Sequence, residues 1–374
     1  MKKYIVYNIC FLLFLLLLPF GISSCLPPVV DEFADTENGV VLEKVNKVTA
    51  LTPDSTVVVM TWNIRFGIGR GPWFGDACGY KVVYNSDEVL RNLQLLVDRI
   101  ELIRPDILLL QEVDINSNRS GYTDQFTWLL NHTYFNYASY GSQWKAQFIP
   151  SDGLGRLQEV NAIYSRWPIT ECTRTQLALR KDQIAIERYF YERCCMVTSK
   201  VEIPGFEPLY VVNLHASAFA TDSTKFQHIN SFENELDRLD RLNCTVIGGG
   251  DLNTIPPQSD STDYCIENMC EGESFHHPGD VPFHRGGADF TPEKQLLVPV
   301  YAKFQPVIPL NEYLAQQENY FSSVSKPDQP WNKALDYLFT NTRWKAGSGV
   351  VHQECVTESD HCPVSGILVL KKKP

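Results

Sequence analysis

The 374-residue sequence contains no internal repeat and no low-complexity run. It therefore gives no sign of a repeat array or of a long linker between separate domains. Since 44% of its residues are apolar, the chain can bury one large core or two modest ones. We predict one large domain behind a short N-terminal region.

Positive charge is also scarce. The chain has 33 lysines and arginines against 44 aspartates and glutamates, and its formal net charge is -11. Loss of an N-terminal leader with Lys2 and Lys3 removes two positive charges and makes the net charge -13. This balance does not favour diffuse binding to nucleic acid, because lysine and arginine supply most of the non-specific affinity for phosphates. A local basic groove or a bound cation could still override it.

The cysteines and histidines lack the spacing of a zinc site. There is no Cys-x-x-Cys pair, and His276, His277 and His284 lie in a Gly/Pro-rich stretch with no fourth ligand in view. Nine cysteines remain once Cys10 and Cys25 are set aside, so at least one is free or paired between chains.

The longest early apolar run, Ile9 to Phe20, is too short to span a membrane comfortably. It follows two lysines and precedes Ile22-Ser-Ser-Cys25, which resembles a bacterial lipobox. We predict a lipoprotein signal peptide over residues 1–25, a lipid on Cys25, and a tether over residues 26–54. The protein would then be exported and anchored to a bacterial membrane, in the periplasm or at the cell surface. An ordinary secretory signal with a chance cysteine is the alternative.

Hydrophobic patterns predict a protein with more strands than helices. Two stretches have apolar residues at helical spacing, 87–103 and 224–242, and the second places Phe226, Ile229, Phe232, Leu236 and Leu239 inward. Apolar runs predict strands at 56–63, 107–110, 160–164, 194–203, 209–214, 245–248, 335–340, 350–355 and 364–370. Several of these are apolar on both faces, which indicates two packed sheets with helices outside.

Seven short segments carry most of the polar side chains that suggest chemistry. In chain order they are Thr61-Trp-Asn-Ile-Arg65, Leu110-Gln-Glu-Val113, Asn161-Ala-Ile-Tyr-Ser-Arg166, Val212-Asn-Leu-His215, Gly250-Asp-Leu-Asn253, Leu335-Asp-Tyr337 and Ser359-Asp-His361. Most follow an apolar strand. Together they supply carboxylates, amides and two histidines, which suits the splitting of a phosphate ester with a hard divalent cation.

The ordered set resembles the endonuclease/exonuclease/phosphatase superfamily, which includes deoxyribonuclease I. The resemblance spans roughly residues 56–370, and we predict a domain over 55–371 with a loop-rich insertion at about 255–331. It implies an α/β fold, a four-layer α/β/β/α sandwich of two packed mixed sheets with helices outside. It also implies a metal-dependent hydrolase acting on phosphoester bonds.

The resemblance assigns the metal and substrate ligands by position. It implies that Glu112 is the main ligand of Mg²⁺ (Mn²⁺ being possible), with Asn63 and Asp360 near the ion. A carboxylate together with waters and a substrate oxygen is how magnesium is usually held. Asn63 and Asn161 would contact the substrate phosphate, although Asn161 could instead only support the site.

The proton-transfer groups are assigned in the same way. His361 would activate water, since imidazole accepts a proton near neutral pH, and Asp336 would orient it. His215 would donate to a phosphate oxygen or to the leaving group. Asp251 would lie near the nucleophilic water, and Asn253 would donate to a phosphate oxygen.

The sequence leaves the substrate open. We predict a phosphodiesterase, endonuclease-like or sphingomyelinase-like, acting on a nucleic acid or a phospholipid head group, with no obligate protein partner evident. The alternatives are a phosphomonoesterase acting on inositol phosphates and a catalytically silent surface binding protein on the same fold. A third possibility is a glycan-binding role for the aromatic-rich segment 255–331.

Overall fold

The computed structural model describes residues 29–75, 79–218, 220, 222–260, 291–324 and 329–373. The predicted signal peptide and Cys25 lie outside the described residues, as does much of the predicted insertion, including its three histidines. No helix in the described ranges is both long enough and apolar enough to cross a membrane.

Two mixed sheets of seven strands each form the centre of the molecule. Sheet I has the order β13-β14-β3-β4-β6-β5-β2, and sheet II has the order β1-β7-β8-β9-β10-β12-β11. The strands are β1 Thr36–Asn38, β2 Val40–Glu43, β3 Thr56–Asn63, β4 Ile107–Asp114, β5 Tyr137–Ile149, β6 Gly155–Ser165, β7 Ile169–Gln176, β8 Cys195–Val201, β9 Leu209–His215, β10 Thr245–Asp251, β11 Gln305–Pro306, β12 Asp336–Thr340, β13 Val350–Val351 and β14 Val364–Val369.

Helices cover the outer faces of the sheets. They are α1 Ser86–Ile103, α2 Gln125–His132, α3 Ala185–Phe190, α4 Thr224–Arg241, α5 Thr291–Lys294, α6 Val298–Lys303 and α7 Leu310–Ala315, with short 3-10 turns at Arg65–Gly67 and Gln317–Tyr320. Helix α1 begins with a reciprocal capping box between Asn85 and Glu88 and ends before Pro105. The predicted four-layer α/β/β/α sandwich is confirmed.

Three apolar layers explain this stacking. Leu93 and Leu96 of α1 pack on sheet I, and Phe232 of α4 packs on sheet II. Between the sheets, Leu109 of β4 and Val211 of β9 belong to one shared core. Strands buried on both faces must be apolar throughout, which is why their sequences read as continuous hydrophobic runs.

The predicted inward stripe of α4 is wrong at its first member. Phe226 is 57% exposed, whereas Ile229, Phe232, Leu236 and Leu239 are buried. At 3.6 residues per turn, Phe226 lies roughly a third of a turn from the centre of the buried stripe, which includes Thr224 and His228 in the same part of the helix. The apolar pattern alone made the stripe too wide.

Other boundaries also differ from the predictions. Residues 26–54, predicted as a tether, contain β1 and β2, which pair with β7 and β5 at the open edges of the two sheets. The strand predicted at 350–355 is limited to Val350–Val351. Strands β5 and β7 were not predicted, because glycine, serine and charged residues interrupt their apolar alternation.

Candidate active site

The polar side chains singled out by the sequence meet at one end of the sandwich. Strands β3 and β4 run parallel in sheet I, and β9 and β10 run parallel in sheet II, so both pairs end on the same side. Strand β12 begins there too, with Asp336 opposite Asp251 in the antiparallel register. The strand ends bring Asn63, Glu112, His215, Asp251 and Asp336 together from distant parts of the chain.

Glu112 is turned into the site by a break in β4. The pairing of β4 with β6 shifts between Leu110 and Val113, and Glu112 has a φ of 56°. A left-handed backbone is uncommon for a residue with a side chain, and such outliers concentrate at functional positions. The carboxylate accepts a hydrogen bond from Nδ2 of Asn63 at 2.7 Å.

Asn63 links the two sheets within the site. Its Nδ2 also donates to Oδ2 of Asp251 at 3.1 Å, while its Oδ1 accepts from the backbone N–H of Arg65 at 2.9 Å. In this orientation the amide nitrogen faces the carboxylates. Asn63 therefore holds Glu112 and Asp251 by hydrogen bonds, and its oxygen is engaged by the backbone.

Asp360 lies near Glu112 at the solvent-exposed opening of the site, and we call these two carboxylates the mouth. Oδ2 of Asp360 is 3.3 Å from Nε of Arg65, and its Oδ1 is 3.2 Å from the Ser359 hydroxyl, which donates to the backbone oxygen of Asn63 at 2.8 Å. The side chains of Asp360 and Glu112 remain 22% and 20% exposed. These two carboxylates are thus reachable from solvent, unlike the buried Asp251 and Asp336.

His361 is held by Asp336. Nδ1 of His361 is 2.8 Å from Oδ2 of Asp336, which also accepts from the Ser322 hydroxyl at 2.7 Å. The imidazole then presents Nε2 to the site, 3.2 Å from the Ser323 hydroxyl and 3.6 Å from Oδ2 of Asp251. A carboxylate on Nδ1 fixes the tautomer that leaves Nε2 free to accept a proton.

His215 approaches the same oxygen of Asp251 from the other side. Its Nε2 lies 3.6 Å from Oδ2 of Asp251 and 3.7 Å from Oε1 of Glu112. Two imidazoles therefore flank one carboxylate oxygen. That arrangement provides separate proton acceptor and donor groups within one small space.

The charges in the site move the pKa of several groups. Burial raises the pKa of Glu112, and the nearby charge of Asp360 raises it further. Burial opposes the charged form of both histidines, yet the surrounding carboxylates outweigh it. Asp251 and Glu112 raise the pKa of His215, and Asp336 and Asp251 raise that of His361. The site concentrates negative charge.

Asp251, Asp336 and His361 also have ligand atoms within 4.8 Å of one another, a spacing that could hold a metal ion. However, the hydrogen bond between Asp336 and His361 already occupies one ligand atom of each. Glu112 and Asp360 are more exposed and present carboxylate oxygens at the mouth, although Asn63, Ser359 and Arg65 contact some of these oxygens. Oxygen donors of this kind suit Mg²⁺ or Mn²⁺.

Asn253 lies at the edge of the site in a strained turn. It has a φ of 46°, its N–H donates to Oδ1 of Asp251 at 2.9 Å, and its Nδ2 donates to the backbone oxygen of Ala216. Gly250 has a φ of 130°, and a Cβ there would come within 1.9 Å of the Leu214 oxygen. The turn that carries Asp251 and Asn253 therefore requires glycine at position 250.

Asn161 is fully buried and contacts the site through one residue that the sequence did not reveal. Its Nδ2 donates to Oε1 of Gln143 at 3.0 Å and to the Cys195 oxygen, so its role in this geometry is support. Gln143 in turn places Nε2 3.1 Å from Nδ1 of His215. It also donates to Glu159 and Glu192.

Gln143 sits at a break in the pairing of β5 with β6, between Ser142 and Trp144. Bulges of this kind re-aim a side chain, and they are frequent beside active sites. The surrounding Tyr-Gly-Ser-Gln-Trp-Lys sequence gave no strand signal. A strand prediction for β5 would have been needed to notice a polar residue facing inward.

Comparisons with known proteins identify the family and the fold. The model of the Endonuclease/Exonuclease/phosphatase family matches residues 60–361. The chain is similar to the structure of an endonuclease/exonuclease/phosphatase from Beutenbergia cavernae DSM 12333, with 17% identity and a TM-score of 0.57, covering 85% of this chain and 72% of that one. At this identity the likeness shows the fold.

Two further solved structures resemble the chain. A family protein from Bacteroides thetaiotaomicron has 15% identity and a TM-score of 0.49, covering 85% of this chain and 96% of that one. The human nocturnin catalytic domain with bound sulfate has 14% identity and a TM-score of 0.49, covering 89% and 97%. No curated protein sequence matches the chain.

Proposed function

Because the chain belongs to the endonuclease/exonuclease/phosphatase family, we propose that it is a divalent-metal-dependent phosphodiesterase. Members of this family are generally phosphoester hydrolases. The observation that carries the proposal is the pair of imidazoles flanking Asp251, each with Nε2 3.6 Å from the same carboxylate oxygen. Hydrolysis of a diester needs one group to accept a proton and one to donate a proton on opposite sides of the phosphorus.

His361 is the base in this proposal. Water loses a proton to Nε2 of His361 as its oxygen forms a bond to phosphorus. Asp336, on Nδ1, stabilises the imidazolium that results and keeps the ring oriented. Asp251, 3.6 Å away, orients the attacking water and favours the protonated ring.

His215 is the acid. As the phosphorus–oxygen bond to the leaving group breaks, Nε2 of His215 donates a proton to the departing oxygen. Asp251 and Glu112, 3.6 and 3.7 Å from this nitrogen, stabilise the charged ring that donates the proton. Nε2 of Gln143 lies 3.1 Å from Nδ1 of the same ring and limits where the ring can move.

The donor set at the mouth suits a divalent cation. Glu112 and Asp360 would hold it, with Asn63 fixing the Glu112 carboxylate, and both carboxylates keep exposed oxygen atoms. A bound Mg²⁺ or Mn²⁺ would neutralise the phosphate oxygens against this negative site.

The experiment is hydrolysis of bis(p-nitrophenyl) phosphate by the purified protein with Mg²⁺, with Mn²⁺ and with chelator. His361→Ala tests the site, and His132→Ala, an exposed histidine on α2, is the matched control. We expect metal-dependent release of p-nitrophenol that His361→Ala abolishes and His132→Ala retains.

Other outcomes point elsewhere. Equal activity of His361→Ala would remove this residue from the mechanism. Activity on p-nitrophenyl phosphate but not on the diester would favour the phosphomonoesterase alternative. A folded protein that binds a divalent cation but hydrolyses neither compound would favour the silent binding protein.

We also propose that a lipid on Cys25 anchors the mature chain to a membrane. The sequence Ile22-Ser-Ser-Cys25 after the apolar run supports it. Mass spectrometry of the N-terminal peptide from protein made in a bacterial host is the test. We expect a diacylglyceryl-modified Cys25, and an unmodified N-terminus elsewhere would overturn the proposal.

A further inference from the structure

The first described residues are fixed against the end of β5. Val30 is 1% exposed and bridges Ala146, the Asp31 N–H donates to the Lys145 oxygen, and the Gln147 N–H donates to the Val29 oxygen. Val30 also packs in a small apolar cluster with Trp144, Ile149 and Leu157. The entry of the chain into the fold is therefore a defined position.

That position lies at the active-site end of the sandwich. Gln143, which contacts His215 at 3.1 Å, belongs to the same strand as Ala146 and Gln147. At about 3.3 Å per strand residue, the four steps from Gln143 to Gln147 cover roughly 13 Å. Val29, bonded to Gln147, is thus beside the site and far from the opposite strand ends.

The chain length before Val29 limits where a lipid on Cys25 can be. Only residues 26–28 separate the two. Four steps of even a fully extended chain span at most about 14 Å. Whatever path those residues take, a lipid on Cys25 would hold the active-site end of the domain near the bilayer.

Exposed apolar side chains surround this entry point. We call them the anchor-side face, and their exposed fractions range from 39% to 63%: Val29, Phe148, Leu154, Ile184, Ile186 and Tyr189. They lie on the first described residues, on the β5–β6 hairpin and on or beside α3. Phe190 of α3 packs against the same cluster as Val30 and Ile149, so these three segments adjoin.

Helix α3 is unusual for a helix in a folded domain, because none of its residues is buried. Only Phe190 packs on the cluster of Val30, while Ile186 and part of Tyr189 remain exposed to solvent. Exposed apolar groups of this size gain free energy at a lipid–water interface.

We propose that the anchor-side face lies on the surface of a lipid bilayer, so that the active site opens toward phosphoesters held at that surface. The inference rests on the proposed lipid anchor, and its substrate clause rests on the proposed hydrolase. The opposite end of the sandwich, with Leu102 at the end of α1 and Leu242 after α4, would then face away from the membrane.

The test uses the full lipid-bearing protein in vesicles of phosphatidylethanolamine and phosphatidylglycerol, with and without brominated acyl chains. Leu154→Trp and Ile186→Trp report on the anchor-side face. Leu102→Trp and Leu242→Trp are matched controls, since these leucines are also exposed, at 73% and 61%. All four positions are on the surface, so the substitutions leave the core intact.

We expect the brominated lipid to reduce the added fluorescence of the first two variants at least about threefold more than that of the controls. Equal quenching at both ends, or none at Leu154→Trp and Ile186→Trp, would overturn the inference. Hydrolysis of soluble bis(p-nitrophenyl) phosphate by the same samples reports on the proposed function separately. Quenching without hydrolysis would support the docking face and count against the proposed phosphodiesterase.

Discussion

Two polar clusters lie one or two residues apart on the same three strands, and they differ in charge and in hydrogen bonding. The first, which we call the clamp, consists of Thr61, Gln111 and Asn213, buried between the sheets. The second contains Asn63, Glu112 and His215, each one or two residues further along. The clamp is neutral and closely bonded, whereas the site is charged and its ionisable groups are held apart.

The clamp joins the sheets by short bonds. Gln111 Nε2 donates to Oδ1 of Asn213 at 2.7 Å and to the Thr61 hydroxyl at 3.1 Å. Asn213 Nδ2 donates to the oxygens of Leu110 and Ala162 in the opposite sheet, both at 2.9 Å. Among the described residues, only Oε1 of Gln111 in this trio lacks a partner. Buried polar groups bonded in this way stabilise a particular packing of the layers.

The site uses the same positions differently. His215 remains 3.6–3.7 Å from Asp251 and Glu112, distances too long for good hydrogen bonds. Glu112 adopts a left-handed backbone, and Asp336 faces Asp251 across a strand pair. The clamp therefore holds the two sheets together, and the site keeps charge and hydrogen-bonding groups available for a ligand.

Asp336→Asn should produce the largest effect on the site. The amide cannot stabilise an imidazolium at His361, and it presents a donor as well as an acceptor to Nδ1. We expect turnover of the soluble diester to fall about a thousandfold, with the urea midpoint lowered little or not at all. Turnover within about tenfold of the parent protein would contradict the assigned pairing of Asp336 with His361.

Glu112→Gln should lower activity and raise stability. The amide oxygen can still accept from Asn63, but the metal loses a carboxylate, and we expect turnover to fall about a hundredfold with weaker cation binding. Burial raises the pKa of Glu112, so its ionised form costs stability without a metal.

The direction of the pH dependence of stability follows from the linkage between folding and protonation of Glu112. A raised folded-state pKa means that stability is full below the unfolded pKa and is lost as pH rises from about 4.5 through the folded value. With chelator present, the parent protein should lose stability over this range, and Glu112→Gln should lose less. Urea unfolding at several pH values measures the free energy of unfolding of both proteins. If that free energy changed with pH equally in the two proteins, the raised pKa of Glu112 would be contradicted.

Asn213→Leu tests the clamp. It removes the acceptor of Gln111 and leaves the oxygens of Leu110 and Ala162 without their donor. We expect a loss of about 2–4 kcal/mol in the free energy of unfolding, measured in urea, with a smaller change in turnover per folded molecule. Asn131→Leu, the same change at an exposed helical position, should be nearly neutral. Equal effects of the two variants would mean that the clamp contributes nothing specific.

Gln143→Leu probes the boundary between the clusters, because Gln143 bonds with buried Asn161 and also orients His215. We expect kcat to fall about tenfold, since the His215 ring loses its polar neighbour beside Nδ1, while KM for the diester changes little. A residue with a purely structural role would lower the urea midpoint and leave kcat per folded molecule unchanged. Steady-state kinetics together with urea unfolding separate these outcomes.

The sequence predicted the fold best where burial is complete. Strand β3 and helices α1 and α4 lie within one residue of their predicted ends, because apolar periodicity and capping are local signals. Strands β5 and β7 were missed because their pairing, rather than their composition, makes them strands. Phe226 was misplaced because an apolar residue at the flank of a helical stripe resembles a member of the stripe.

The candidate site also contains residues that local sequence signals reveal and residues that only strand pairing reveals. Glu112, His361 and Asp336 were singled out because each follows or begins an apolar strand in a known order of motifs, and the structure brings them together. The bulge at Glu112 and the bulge at Gln143 could not be read from the sequence, since a bulge is a mismatch between two strands. Gln143 can therefore be recognised as a site residue only in the folded structure.

Thr61→Val tests whether the clamp and the site are independent, because it alters the clamp two residues from Asn63 with almost no change in side-chain shape. The variant removes one 3.1 Å bond from Gln111, which keeps its 2.7 Å bond to Asn213. We expect a loss of about 0.5–1 kcal/mol in the free energy of unfolding and unchanged turnover. If turnover fell tenfold while stability held, the clamp would also be positioning the site, and the division between the two clusters would be wrong.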